Sequence, residues 1–509
     1  MPRIIKLDYL SLLQFFLVVC IAALVRMISY DLEKIIEPVG AAHLEDYELY
    51  RQALTQHFWE YFLYAHTVTP LSYLHDWVVF NFFSSKTYGV VNFLFLSAID
   101  SLAAGFVFLT LKNFKIPILL SIISAIFLSL RLVSWDLINA SAWDYYNPFL
   151  FSLLFFCLST IVANSSIWKY LVLGSIGALV LTSFQPASAV VFSTLVIAVF
   201  VVSVKRKVFS RLLAVLSPPV LILSLMILKT GLQHGIYAPT TGMGHGFVQN
   251  LSLSVFDPYN KKSILDFAKE KSYPSWWVWC FKNAEGLNSN WGNCRFKRDA
   301  SDFTDLKQYL IKNKFFRLLK IVSQDEKVFA EKPWLYSGRV TPGITRWNVE
   351  FGKVSSNLLR DVVFQYPWGY LVRSYTNFKY FIFNGAQYEF HDEQVEKRVS
   401  VSIPNIVHAI NYGLTPVIFV SILFCFFILL LYPTQVFLSA VNEHYAPPSL
   451  AVGLIWAMCI GFGFGIAVSI FFSCCNQWQH AFNYLTIIWV VGTFCFYQVV
   501  LRINRIRYS

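Results

Sequence analysis

Charged side chains are scarce in this sequence: Asp, Glu, Lys and Arg make up only 14% of its 509 residues, against 56% hydrophobic and 18% aromatic. With a mean hydropathy of +0.53, the chain carries more apolar surface than a soluble core can hide, which excludes an ordinary globular protein and implies a polytopic membrane protein. Cysteine patterning is missing too. The 9 cysteines form no C-x-x-C pair and no Cys/His spacing suited to zinc, and Cys20, Cys157, Cys425, Cys459 and Cys495 lie inside apolar runs, where they act as small hydrophobes. The net charge of +12 comes with no basic patch of nucleic-acid type. Much of it sits in short loops between apolar runs, where it is a topology signal, so no nucleic-acid partner is expected. A small-residue cleavage site is also lacking after the basic start Met1 to Lys6, which makes the first apolar run a retained anchor.

What is present is a series of apolar runs close to the roughly 20 residues needed to cross a bilayer. They fall at Leu10 to Met27, Tyr88 to Leu111, Ile116 to Val133, Pro148 to Ala163, Tyr170 to Ser183, Ala187 to Val204, Leu212 to Leu228, Ile406 to Leu431, Ser449 to Phe472 and Tyr484 to Leu501. The run from Tyr170 to Val204 would be about 52 Å long as one helix and overshoot a core of about 30 Å, so two helices turning at Ser183 to Pro186 are expected. The expected fold is all-α with about ten transmembrane helices and a mixed extracytoplasmic domain between helices seven and eight. Residues 1–228 form the first transmembrane module, with an outer loop over 30–87; residues 229–404 form the outer domain; residues 405–509 carry three closing helices.

The positive-inside rule orients the chain. With both termini in the cytoplasm, the short inner segments hold Arg3, Lys6, Lys112, Lys115, Lys169, Lys205, Arg206, Lys207, Arg211, Arg502, Arg505 and Arg507. The short outer turns at 134–147, 184–186 and 473–483 hold no Lys or Arg, and the inner loop 432–448 also lacks them. The first outer loop then carries Asp31, Glu33, Glu37, Glu45, Asp46, Glu48, Glu60 and Asp76, with an apolar, aromatic stretch Pro70 to Phe83 that suits a helix lying in the interface. In the outer domain, Asn357 to Asn377 has helical apolar spacing broken at Pro367, as two amphipathic helices on a membrane surface would. Cys280 and Cys294 are candidates for a disulfide in an oxidising compartment. Asn139, Asn164 and Asn250 head sequences matching the glycan-acceptor pattern, the middle one facing inward.

Three outward features line up: the acid and aromatic cluster His43 to Tyr50, the segment from Trp135-Asp136 to Trp143-Asp144-Tyr145-Tyr146, and the turn Gln185-Pro186. Carboxylates beside a membrane are costly and need a reason. An outward carboxylate can act as a general base, taking a proton from an acceptor while a phosphate-activated sugar leaves. The aromatics suit sugar faces and a lipid tail.

Over about Leu10 to Leu228, an acidic residue in the first outer loop, the interfacial segment Thr69-Pro70-Leu71-Ser72-Tyr73 and the helix Gly174 to Thr182 ending at an outer turn together resemble the GT-C superfamily. These are multi-span glycosyltransferases that use polyprenyl-phosphate sugars. The resemblance implies a catalytic base at Asp46 with Glu45 as neighbour or alternate. It implies a second acid in the next outer loop at Asp144 or, less well matched, Asp136, assisting in acceptor or metal binding. The chain departs from the pattern in having Gln185-Pro186 where many relatives place a basic residue after Leu-Thr. Arg131 and Arg373 are candidates for the donor phosphate, and His480 lies near where the last helices of relatives carry polar donor-binding groups.

The implied reaction moves a sugar from a polyprenyl-phosphate co-substrate to a glycan, lipid or protein acceptor outside the cytoplasm, with inversion. A divalent metal is left open, since some members of the superfamily use one. A bacterial inner membrane is the expected location, with the endoplasmic reticulum as the alternative.

Each residue also has a plainer role. Glu45 and Asp46 can form a solvated loop face or a helix cap, Asp144 can cap the helix begun by Asn147-Pro148, and Arg131 can snorkel to the headgroups. Arg373 and Lys379 choose between donor phosphate and headgroups, and His480 can be a satisfied interfacial histidine. Asp100, in mid-span, is either functional or hydrogen-bonded to Ser97, Ser101 or a neighbouring helix. Two other functions compete. A polysaccharide polymerase or ligase would rely on His245, Arg339 and Arg373. A transporter or flippase for a lipid-linked substrate would show related halves and broken helices, of which only Asp100 and Pro218-Pro219 give a hint.

Overall fold

The computed structural model describes residues 9–29, 47–64, 70–83, 88–138, 146–161, 165–183, 188–203, 208–234, 237, 264–281, 301–336, 346–371, 420–437, 449–472 and 485–508. Among the described residues every regular element is helical. The first ten are α1 Tyr9–Ser29, α2 Tyr47–Gln56, α3 Phe58–Tyr64, α4 Pro70–Phe82, α5 Tyr88–Asn113, α6 Ile118–Ile138, α7 Tyr146–Ser159, α8 Ile167–Ser183, α9 Ser188–Val202 and α10 Val208–His234. The region expected to be a mixed domain holds α11 Ile264–Glu270, α12 Ser275–Phe281, α13 Ser301–Lys312, α14 Phe316–Glu331, a 3₁₀ turn Pro333–Tyr336 and α15 Arg346–Gln365. The chain closes with α16 Val420–Phe437, α17 Leu450–Phe472 and α18 Leu485–Tyr508.

Three helical segments are long and apolar enough to cross a membrane, at Phe93–Asn113, Val208–Gln233 and Val420–Phe437; shorter apolar stretches occupy α1, α6 to α9, α17 and α18. The run expected to turn near 183–186 does form two helices, α8 and α9. Several boundaries differ from expectation: α6 runs past Val133 to Ile138, into the turn expected at 134–147, and α10 spans Val208–His234 rather than Leu212 to Leu228. The eighth apolar helix continues past Leu431 to Phe437, through Pro433, so residues 432–437 are helix rather than loop.

Apolar helices with no polar face must be buried all round or face lipid, and α7 and α9 bury about half of their residues. With α5, α8, α16, α17 and α18 they form the main core, which includes Phe151, Leu173, Leu195, Met458 and Val490. A smaller cluster ties α1 to α5 and α6 through Phe15, Val18, Phe108 and Ala125. Close contact between helices depends on missing side chains. A Cβ on Gly174 would overlap the Val215 carbonyl, so α8 lies directly against the backbone of α10.

The turn from α5 to α6 is a Schellman closure. Ile116 N–H reaches the Leu111 carbonyl at 3.1 Å, Lys115 N–H reaches Lys112 at 2.9 Å, Lys115 takes φ 62°, and Pro117 prevents continuation. This end of the bundle gathers basic groups. Lys112 Nζ donates to Ser11 Oγ at 2.5 Å and Gln14 Oε1 at 3.0 Å. Arg211 Nη1 donates to Ser203 Oγ at 3.0 Å while its guanidinium lies over the Tyr170 ring. Asn113 bonds Ser159 at 2.9 Å, joining the ends of α5 and α7.

The helices between Ile264 and Gln365 have a core of their own. Trp347, Phe351, Leu358 and Val362 recur at helical spacing along α15 and pack on Trp276, Trp277, Leu306 and Val322. The mixture of structure expected over 229–404 is replaced, among the described residues, by helix alone. Asp325 on α14, 4% exposed, accepts the backbone N–H groups of Arg346 at 3.1 Å and Trp347 at 2.9 Å, and so caps α15 from another element. Burial nevertheless raises its pKa to about 6, outweighing the pull of these amides and of the Arg346 charge. Tyr273 donates to Asp361 and its phenol is raised, by burial first and then by that carboxylate. The break expected at Pro367 falls at Tyr366, with helix resuming over 367–371. Leu358, Val362 and Tyr370 face inward there, whereas Phe364, Trp368 and Leu371 are exposed.

Candidate functional site

The end of the bundle opposite the basic groups is capped by α2, α3 and α4. Pro70 opens α4, where its missing N–H costs nothing. Along α4, Tyr73, Asp76 and Phe80 are buried on one face, while Leu74, Val78 and Phe82 are exposed on another. His75 lies between the two faces, half-buried.

The buried face packs on α2. Tyr50 sets its ring edge-on to Tyr61 and Phe80 and donates its hydroxyl to Asp76 Oδ2 at 2.6 Å. Asp76 is 2% exposed, and a carboxylate so buried persists only with hydrogen-bond donors around it. The half-buried His75 serves a second neighbour: its Nδ1 and the hydroxyl of Tyr146 lie 2.5 Å apart. Phe95 on α5 stands beside the imidazole, ring centroids 5.0 Å apart. Two consecutive residues of α4 therefore fasten two different elements, Asp76 holding α2 and His75 holding the first residue of α7.

The cap also receives the 3₁₀ turn Pro333–Tyr336. Leu335 of the 3₁₀ turn is fully buried among Tyr50, Leu54, Tyr61 and Tyr73. Lys332 pairs with Glu60 on α3, and Lys229, near the end of α10, donates to the Phe62 carbonyl at 2.6 Å. These contacts put α2, α3 and the 3₁₀ turn Pro333–Tyr336 together at one end of the bundle.

Glu45, Asp46, Asp144, Gln185, Arg373 and His480 lie outside the described residues, as do His245, Arg339, Lys379 and Cys294. Arg131 and Asp136 fall on the last turns of α6, with side chains outside the described set. Asp100 is 3% exposed on α5, and the Ser101 hydroxyl beside it bonds the Ser97 carbonyl at 2.7 Å. Among the described residues no group of three His, Cys, Asp or Glu side chains forms a metal site.

The pairs Tyr50 with Asp76 and His75 with Tyr146 escaped sequence reasoning. Helical spacing does place Tyr73, Asp76 and Phe80 on one face, but nothing in the order of residues names Tyr146, 71 positions from His75, as its partner. Comparison of the chain with family models, with curated proteins and with solved structures returns no match.

Proposed function

We propose that this protein is a membrane glycosyltransferase of GT-C type that transfers a sugar from a polyprenyl-phosphate donor to an extracytoplasmic acceptor. The observation that carries the reading is the double fastening on α4. Asp46 stands one residue before α2 and Asp144 two residues before α7, and a chain spans at most about 3.6 Å per residue. The two helices that these acids precede are tied through Asp76 and His75 to neighbouring points of one short helix. The two candidate acidic loops thus start from a common place at one end of the bundle.

On this reading α1, α5 to α10 and α16 to α18 are ten spans, and the basic end with Lys112, Lys115, Lys169 and Arg211 is cytoplasmic. The capped end is then outside, at headgroup depth, where a lipid-linked phosphate can meet a water-soluble acceptor. Asp46 takes the proton from the acceptor hydroxyl or amide. That acceptor atom bonds to the anomeric carbon from the face opposite the phosphate. The bond from carbon to phosphate oxygen breaks with its electron pair on the phosphate, so polyprenyl phosphate leaves and the anomeric centre inverts. Glu45 and Asp144 orient the acceptor, or a divalent metal if one is used. A transporter is disfavoured because α10 stays helical through Pro218 and Pro219, where a broken helix would be wanted.

The test is transfer from polyprenyl-phosphate sugars by the purified protein in membranes. Asp46→Asn is expected to lower the rate at least 100-fold, in line with a general base worth about 10² to 10⁴, while leaving insertion and melting unchanged. Full activity in that variant would remove the assignment, and substrate translocation into vesicles without a covalent product would replace it with transport.

A further inference from the structure

We infer that His75 and Tyr146 form the phosphate-binding point for the isoprenoid monophosphate part of the donor, an inference that rests on the proposed glycosyl transfer. The pair is a polar island at the border between protein and lipid. Tyr146 Oη and His75 Nδ1 are 2.5 Å apart, and both rings abut Phe95 on α5, whose centroid lies 5.0 Å from the imidazole and 6.5 Å from the phenol. Phe95 is 45% exposed, and the neighbouring Leu74 and Val78 on α4 are 46% and 38% exposed. These apolar side chains continue the surface of the helices that face lipid, so an isoprenoid chain can lie along them without leaving the bilayer.

Imidazole and phenol are the two groups here that suit a phosphate at such a border. An imidazolium supplies charge and an N–H, and the phenol supplies an O–H, while neither demands the full hydration of an ammonium. The nearest carboxylate in sequence, Asp76, does not oppose this. One residue along a helix turns the side chain by about 100°, and Asp76 points to the buried face, where it accepts the Tyr50 hydroxyl. Neutralising the leaving phosphate at this position stabilises the charge that develops as the sugar departs. The same pair, by holding α7 to α4, keeps the phosphate beside the first residue of α7, two positions after Asp144 in sequence.

Binding separates this assignment from the transfer reading. The purified protein in detergent is titrated with farnesyl phosphate, with farnesol and with inorganic phosphate, followed by thermal shift. Expected for the natural protein is saturable stabilisation by farnesyl phosphate that farnesol and inorganic phosphate fail to match. His75→Ala and Tyr146→Phe each weaken it at least tenfold, and His75→Gln does so too while preserving a polar contact to Tyr146. Melting without ligand identifies any variant that is merely unfolded, and the milder Tyr146→Phe and His75→Gln then decide the matter. Equal affinity in the natural protein and in these variants overturns the His75 and Tyr146 assignment while leaving the transferase reading intact. Equal response to inorganic phosphate assigns the pair to free phosphate and overturns the lipid ligand. No response of the natural protein to farnesyl phosphate removes both this site and the donor class.

Discussion

The indole of Trp334 stacks on the imidazole of His57 with ring centroids 4.0 Å apart and 8° between the planes. One ring belongs to the 3₁₀ turn after α14 and the other to the junction of α2 and α3, so the stack is a clamp between parts of the chain far apart in sequence. Beside it, Lys332 pairs with Glu60, with both side chains partly exposed at 41% and 30%. Truncating a large aromatic costs more than breaking a solvated ion pair. Trp334→Ala should therefore cost about 2 kcal/mol or more, and Lys332→Ala no more than about 1 kcal/mol. Melting in detergent, with limited proteolysis of the cap, checks the order; a larger loss for Lys332→Ala would show the ion pair to be the stronger tie.

A second expectation concerns Tyr50 and Asp76. Removing the hydroxyl in Tyr50→Phe takes a donor from a buried carboxylate, at a cost of about 1.5–3 kcal/mol. In the Asp76→Asn background the same change should cost less, because a neutral amide depends less on that donor. A double-mutant cycle on melting free energies reads the coupling directly, and additive effects would count against it.

Helix contacts through glycine give a paired prediction. Gly174→Ala drives a methyl into the Val215 carbonyl, an atom of backbone that cannot swing aside, and should destabilise by about 1–3 kcal/mol. Gly463 on α17 has nothing within 4 Å of an added Cβ. Gly463→Ala should be neutral or stabilising by up to about 1 kcal/mol, since alanine is the better helix former. Thermal melting of the two variants beside the natural protein tests both.

The buried cap at Asp325 has a pH signature. Its folded pKa of about 6 lies above the ordinary 3.8, so the folded state binds the proton more tightly than the unfolded chain does. The stability this contributes is full below about pH 3.8 and is lost as pH rises through about 6. Amide exchange in the first turn of α15 should therefore quicken across that window in the natural protein. In Asp325→Asn the change should flatten. An unaltered pH profile in the variant would assign the effect to another group.

Much of the membrane part was legible because burial in lipid or in a helix bundle demands long apolar runs, and those runs became helices. The division into α8 and α9 followed from length, since one helix from Tyr170 to Val204 would overshoot the bilayer core. The end of α16 was misplaced because Pro433 and Thr434 resemble a loop start, yet the helix continues through them, and the Thr434 hydroxyl bonds the Leu430 carbonyl at 2.8 Å. The region over 229–404 was expected to be mixed, and its helical spacing was read only from Asn357 onward, although Trp347 and Phe351 begin the same helix face that Leu358 and Val362 continue. The acids at Asp46 and Asp144 were conspicuous as charges in an apolar sequence. His75 was not, since a single histidine in an aromatic helix carries no pattern until Tyr146 is brought against it.

Leu335 completes the core of the cap, and its neighbour pair Lys332 and Glu60 is separated by 272 positions. A growing chain therefore makes α2, α3 and α4 long before it makes the residue that fills the space between them. Until then the apolar faces of Tyr50, Leu54 and Tyr61 lack this cover while six more helices, α5 to α10, are made. The cap is finished late in synthesis, and a chain cut short before residue 332 would lack both the residues that complete its cap and the last three helices of its main core.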